Sequence, residues 1–191
     1  MNVVFTPTEA AALVQIPAKR VYKEMEYAVI TSNANPPRLP FAALVYLKAL
    51  REVDFTFSVD FRTLLYSRLV DAMTNRTTQL EIARYFVLQL DSISNDLSEL
   101  IARFNRWKSN LVINPAIMGG ETVFPASRLT VRHIGTMLDR GESKEVIQED
   151  YPYLSNEDLE FALLYVRAYP VIGRPKNNEI LNQYLRQISE S

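Results

Sequence analysis

Between residues 110 and 175 the chain is interrupted too often for any long helix or strand. The stretch runs Asn110-Leu-Val-Ile-Asn114-Pro-Ala-Ile-Met-Gly119-Gly120-Glu-Thr-Val-Phe124, then Arg128-Leu-Thr-Val131. It continues with Asp139-Arg-Gly141-Glu-Ser143, Asp150-Tyr-Pro-Tyr-Leu-Ser155-Asn-Glu-Asp158, Ala168-Tyr-Pro170 and Gly173-Arg-Pro175. Ser or Thr ahead of a helical run offers an acceptor to the first free N–H groups, and Gly ends a helix in left-handed backbone. The spacing predicts two short strands, 111–113 and 122–124, joined by a turn at Gly119-Gly120. Three short helices follow. Thr130 caps the first and Gly141 ends it; Ser143 caps the second and Tyr151-Pro152 breaks it; Ser155 caps the third and Pro170 closes it. Glu157 and Asp158 in the first turn of that last helix complement its dipole.

The rest of the composition narrows the class. At 191 residues and 48% hydrophobic content the chain has enough apolar material for one core or two small ones. No apolar run reaches the roughly 18 residues of a spanning helix. The N-terminus, Met1-Asn-Val-Val-Phe-Thr-Pro7, has neither a basic nor an apolar leader region, so a cytoplasmic protein is expected. With no Cys and a single His, His133, thiol chemistry and zinc ligand sets have no material, and neither metal nor cofactor is expected. His133 falls early in the helix after Thr130 and reads as a surface residue. The acidic residues show no spacing that singles out a pair. The Gly119-Gly120 turn is not followed by the Lys-Ser/Thr of a phosphate-binding helix. No catalytic activity is expected.

Charge divides the chain unevenly. Residues 1–51 carry six basic side chains (Lys19, Arg20, Lys23, Arg38, Lys48, Arg51) against three acidic ones (Glu9, Glu24, Glu26). Residues 111–172 carry five basic against nine acidic. Phosphate would be drawn to the first segment and repelled by the second.

The basic segment reads as a helix from Thr6 or Thr8 to about Val14, a turn at Gln15-Ile-Pro17, and a second helix from Pro17 to about Glu26. A strand at 27–30, a turn-rich loop at 31–40 and a helix from Phe41 to about Val53 complete it. That order is the layout of a winged helix-turn-helix. The run Thr8-Glu-Ala-Ala-Ala-Leu-Val-Gln-Ile-Pro-Ala-Lys-Arg-Val-Tyr-Lys23 resembles DNA-binding heads of the excisionase or mercury-regulator kind. The resemblance implies that the second helix enters the major groove by its N-terminal part. Ala18, Lys19, Arg20, Tyr22 and Lys23 would then face DNA, with Arg38 on the wing loop. Gln15 stands where such turns often hold Gly, and left-handed backbone there costs about 1 kcal/mol.

Further on, 55–57 reads as a short strand and residues 60–74 as a helix ended by Asn75-Arg-Thr-Thr78. Residues 80–90 fit strand or helix equally. Ser94 caps a helix from about 95 to 108, whose stripe Leu97, Leu100, Ile101, Phe104 and Trp107 serves as core or as a dimer seam.

Residues 115–175 resemble the small domain of unknown function found in VapB-type antitoxins and their relatives. The Gly-Gly turn, the Gly141-Glu-Ser143 joint, the Tyr151-Pro-Tyr-Leu-Ser155 break and the Ala168-Tyr-Pro170…Gly173-Arg-Pro175 exit carry the likeness, while Asn114 and Ala126-Ser127 depart from the usual pattern. The resemblance implies a homeodomain-like three-helix core and a PIN-like ribonuclease toxin as partner.

Within that domain the third helix has no wet face. Leu159, Phe161, Leu163, Leu164 and Val166 surround it, and its acids would repel phosphate, so it is either deeply buried or covered by a second subunit, and a homodimer interface is the favoured expectation. Beyond it, Arg174 and Lys176 lie on an extended arm. Ile180, Leu181, Tyr184, Leu185 and Ile188 line one face of an amphipathic segment too short to be stable alone. Against a carboxylate-lined ribonuclease site, the Arg174 guanidinium would pair bidentately.

The expected protein is therefore mainly α with short β-strands. It has a winged helix-turn-helix-like DNA-binding head (1–75), a connector (76–109) with a dimerisation option, a homeodomain-like antitoxin domain preceded by a β-hairpin (110–172), and a C-terminal arm with its amphipathic helix (173–191). The expected function is that of a homodimeric antitoxin that sequesters a PIN-like ribonuclease and represses its own operon by binding operator DNA. The alternative is a free-standing helix-turn-helix regulator with no toxin; an adaptor without a nucleic-acid role is a third class.

Overall fold

The first helix starts where two side chains can close its end. Thr6 Oγ1 accepts the Glu9 N–H at 3.1 Å and Glu9 Oε2 accepts the Thr6 N–H at 2.7 Å, a reciprocal cap from which α1 (Pro7–Leu13) runs. The computed structural model describes residues 4–53 and 57–171. It is mainly helical, with short strands in antiparallel pairs. In the N-terminal part, α2 (Ala18–Glu26), α3 (Phe41–Glu52) and α4 (Val59–Thr74) surround a core that includes Leu13, Val14, Val21, Leu44, Leu47 and Leu69. Strand β1 (Val4–Phe5) pairs with β2 (Leu39–Pro40), closing the loop that follows α2 onto the chain's start.

Residues 27–30 form no strand. Ala28 takes φ 55°, and the Val29 and Ile30 N–H groups both donate to the Glu24 carbonyl, at 2.9 and 3.2 Å. The chain thus folds back over the end of α2 and buries Val29 and Ile30. Their apolar character marks burial rather than sheet. The stretch at 80–90 resolves as strand: β3 (Gln79–Ala83) and β4 (Phe86–Gln89) form a hairpin turned at Arg84-Tyr85. Leu80 and Leu88 sit opposite each other on its buried side. Helix α5 (Leu90–Ser109) starts ahead of the expected Ser94 cap, because the Thr78 carbonyl accepts from the N–H groups of both Leu90 and Asp91. Most of the strand expected at 55–57 lies outside the described residues.

The C-terminal unit follows its punctuation closely. Strands β5 (Val112–Ile113) and β6 (Thr122–Val123) pair across a 3-10 turn at Met118–Gly120. Helices α6 (Val131–Asp139), α7 (Lys144–Asp150) and α8 (Asn156–Ala168) begin at Thr130, Ser143 and Ser155, each with its hydroxyl accepting a first-turn N–H. Gly141 takes φ 96° after the end of α6, as a left-handed helix exit requires.

What covers α8 differs from expectation. It packs on α6, on α1 of the N-terminal part and on α5. Leu159 and Phe161 are fully buried and Leu164 nearly so within the single chain, while Leu163 and Val166 are half-buried. Leu159, Phe161 and Leu164 are thus core residues of the single chain. Trp107 of α5 fills the junction: its ring lies 5.7 Å from Phe161 and 5.9 Å from Phe104, and its Nε1 donates to Asp158 at 2.8 Å. At the far end of α8, Lys108 Nζ donates to the Tyr169 hydroxyl at 3.0 Å, and the Tyr169 carbonyl accepts from Arg132. Among the described residues, no helix is long and apolar enough to cross a membrane.

Candidate nucleic-acid interface

Helix α2 has two unlike faces. Inward it places Val21 and Glu24, both buried, with Met25 half-buried beside them. Outward it places Lys19, Arg20, Tyr22 and Lys23, all exposed, while Ala18 at its start is half-buried. The helix thus offers three cations and one aromatic ring on consecutive turns, a composition suited to phosphate and base edges. Arg38 stands exposed at the end of the following loop, directly before β2. That loop is held by Ser32, whose Oγ accepts the Arg38 N–H at 2.9 Å and donates to the Arg38 carbonyl at 3.0 Å.

The turn between α1 and α2 is held from outside. Gln15 adopts φ 56°, the left-handed conformation for which Gly is usual. Arg51 of α3 offsets the cost, donating from Nη1 to the Val14 carbonyl at 3.0 Å and to Gln15 Oε1 at 3.1 Å. A glycine would lose the second of these bonds. Pro17 precedes α2 with no side-chain cap.

The inner face of α2 carries a buried carboxylate that the sequence reading did not single out. Glu24 is 2% exposed and forms an ion pair with Arg62 of α4. Its other oxygen accepts from the Tyr46 hydroxyl of α3 at 3.0 Å. The Arg62 guanidinium also lies over the Tyr27 ring, 5.5 Å from its centre. Burial, and then the Glu24 charge, push the Tyr46 phenol well above its ordinary value, so it remains a donor. One carboxylate therefore ties the basic helix to two others. The signal was present in the sequence: with Val21 facing inward, the helical period turns residue 24 inward too, so an acid there needs a buried partner. The identity of that partner, 38 residues away, had no such signal.

Among the described residues of the C-terminal unit, α8 carries three acids and a single cation, Arg167. Glu157 of α8 is engaged by Arg103 at 2.9 Å, Arg167 pairs with Asp139 at 2.8 Å, and Glu160 is exposed. Asp158 is used in capping α8, accepting from the Ser155 N–H, and in binding Trp107. His133 is exposed and meets the edge of Tyr151. Arg174, Lys176, Ile180, Leu181, Tyr184, Leu185 and Ile188 lie outside the described residues.

Residues 111–166 match a protein family of unknown function, DUF433. They cover β5 through most of α8, the unit whose caps and turns stood out in the sequence. No curated protein matches the chain. Among solved structures, the X-ray crystal structure of Rv2018 from Mycobacterium tuberculosis is 15% identical, with 83% of this chain and 96% of that chain covered and a TM-score of 0.30.

Proposed function

We propose that this protein is a cytoplasmic DNA-binding autorepressor of the antitoxin type, with α2 as the helix that enters the major groove. The observation that carries the reading is the outward face of α2: Lys19, Arg20, Tyr22 and Lys23 exposed together on a helix whose inner face is locked by Glu24. Arg38 on its pinned loop supplies a further phosphate contact. Neutralising phosphates releases counterions, so such binding weakens linearly with log salt.

A gel shift on duplex DNA from upstream of the gene tests this reading. The Lys19→Glu/Arg20→Glu variant is expected to bind at least about tenfold more weakly, and its log affinity to fall less steeply with log salt, by about one unit of slope per lost phosphate contact. Equal affinity and equal slope would remove α2 from the interface.

The resemblance of residues 115–175 to antitoxin domains favours a second role for the other end: holding a PIN-like ribonuclease, with Arg174 and Lys176 reaching its carboxylates. A ribonuclease reading frame beside this gene supports that role, and its absence favours the free-standing regulator. Where such a partner is co-purified, Arg174→Glu is expected to raise the dissociation constant at least about tenfold, since a buried charge-assisted bidentate pair becomes a repulsion. A complex of unchanged affinity would exclude the arm as its anchor.

A further inference from the structure

The tip of the hairpin formed by β3 and β4 holds residues that its turn does not call for. Two-residue turns between paired strands ordinarily use Asn-Gly, Asp-Gly or a glycine pair. Here Ala83 pairs with Phe86, and the residues between them are Arg84 and Tyr85, neither in left-handed backbone. Both are exposed, and Tyr85, at 87%, is the most exposed large apolar or aromatic side chain among the described residues. The Arg84 guanidinium lies over the Tyr85 ring, 5.3 Å from its centre. Such stacking fixes the plane of a guanidinium and keeps its N–H donors at the edge.

The hairpin's base is anchored and its direction is set. Leu80 and Leu88 are buried, and the Glu81 carbonyl accepts from Arg68 Nη2 of α4 at 2.7 Å. Strand β3 leaves the end of α4 through residues 75–78 and packs on that helix, so it runs back alongside α4 toward the helix's start. Arg62 lies nearer that start than Arg68 by about 9 Å at the helical rise. The strand from Glu81 to Arg84 covers about 10 Å. The tip therefore comes level with Arg62, the residue whose ion pair with Glu24 ties α4 to α2. Arg68 and Arg76 are exposed along the way, and the hairpin's acid, Glu81, sits at the Arg68 end rather than at the tip.

We infer that this tip is a second DNA contact beside that of α2, with Arg84 entering the minor groove. The inference rests on the DNA-binding reading and adds a site to it. Donors and acceptors choose the groove. A guanidinium only donates, and the minor groove of A·T pairs presents only acceptors, adenine N3 and thymine O2. At about 6 Å wide that groove is too narrow for a helix but admits a side chain from a tip. Major and minor grooves follow each other on one face of the duplex at about half of its 34 Å turn. Elements joined through one helix, at about 8–10 Å per packed pair, are spaced on that scale. Tyr85 backs the guanidinium, and its hydroxyl serves the sugar-phosphate rim.

The sequence has no cysteine, so Tyr85→Cys in the full chain gives one attachment point for an iron chelate that cuts nearby DNA. On duplex DNA from upstream of the gene, cuts are expected within an A·T-rich tract, offset toward the 3′ ends of the two strands as minor-groove attack gives. The same reagent on the exposed Glu142→Cys is expected to leave the duplex intact. Arg84→Ala is expected to bind about tenfold more weakly, within the usual cost of a lost base contact. Replacing A·T by G·C pairs at the cuts puts guanine amino groups in the groove. That change is expected to weaken the parent by a similar factor and to leave Arg84→Ala nearly unmoved. If the parent binds the duplex but residue 85 gives no cuts, or cuts offset the other way, the hairpin inference falls, and α2 is judged separately by Lys19→Glu/Arg20→Glu. Equal sensitivity of the parent and Arg84→Ala to the G·C change overturns it too. Disulfide-linked Tyr85→Cys dimers with no DNA cutting would instead give the tip to a second copy. A parent chain that binds no duplex removes both readings.

Discussion

Gly135→Ala is expected to destabilise this protein by about 1–3 kcal/mol, the usual cost of forcing an extra carbon into a packed core. In an unpacked helix the same change stabilises by about 1 kcal/mol, so the sign of the effect is the test. Gly135 lies on α6 where it crosses α8. A Cβ added there would press on the Ala162 carbonyl oxygen, within 2.6 Å of Val166 Cγ1 and 2.9 Å of Ala162 C. Backbone cannot rotate away as a side-chain end can, so the two helices must separate. Urea unfolding reads the result as a lower midpoint at constant slope. A raised midpoint would show that α6 and α8 do not cross this closely.

Glu24→Ala is expected to cost about 3 kcal/mol, because it leaves the half-buried Arg62 guanidinium without its counter-charge. Arg62 Nε already lacks a partner, and Tyr46 would lose its acceptor as well. Two companions separate the contributions. Tyr46→Phe removes one hydrogen bond and keeps the ion pair, so about 1 kcal/mol is expected. Glu24→Ala combined with Arg62→Leu removes both charges, and most of the stability should return. If the double variant were no more stable than Glu24→Ala alone, the loss would stem from packing and the ion pair would be incidental.

The parts of this fold that were legible in the sequence are those whose causes are local. Thr130, Ser143 and Ser155 announce helix starts because a cap satisfies donors two or three residues away. The outward set on α2 follows from the helical period alone. What was not legible depends on distant groups. The Thr78 carbonyl starts α5 at Leu90 in place of the nearer Ser94. The turn at 27–30 is apolar because Val29 and Ile30 close the core behind α2. The all-round apolar α8 invited a subunit interface, but its cover comes from its own chain: from α6 and, from the opposite end of the sequence, α1. No local pattern distinguishes a helix buried by its own chain from one buried by a neighbour.

That packing of α1 on α8 also constrains any assembly. The helix that precedes α2 in the N-terminal part is at the same time part of the wall around the C-terminal unit, so α2 does not ride on a swivelling tether. In any pairing of two copies, whichever surface joined them, the two α2 helices would stand at a set distance and angle. If α2 binds DNA as proposed, such an assembly would measure it like a caliper with its jaws fixed. A one-base-pair insertion between half-sites, which turns one of them about 34° around the duplex axis, would have to be met by bending the DNA.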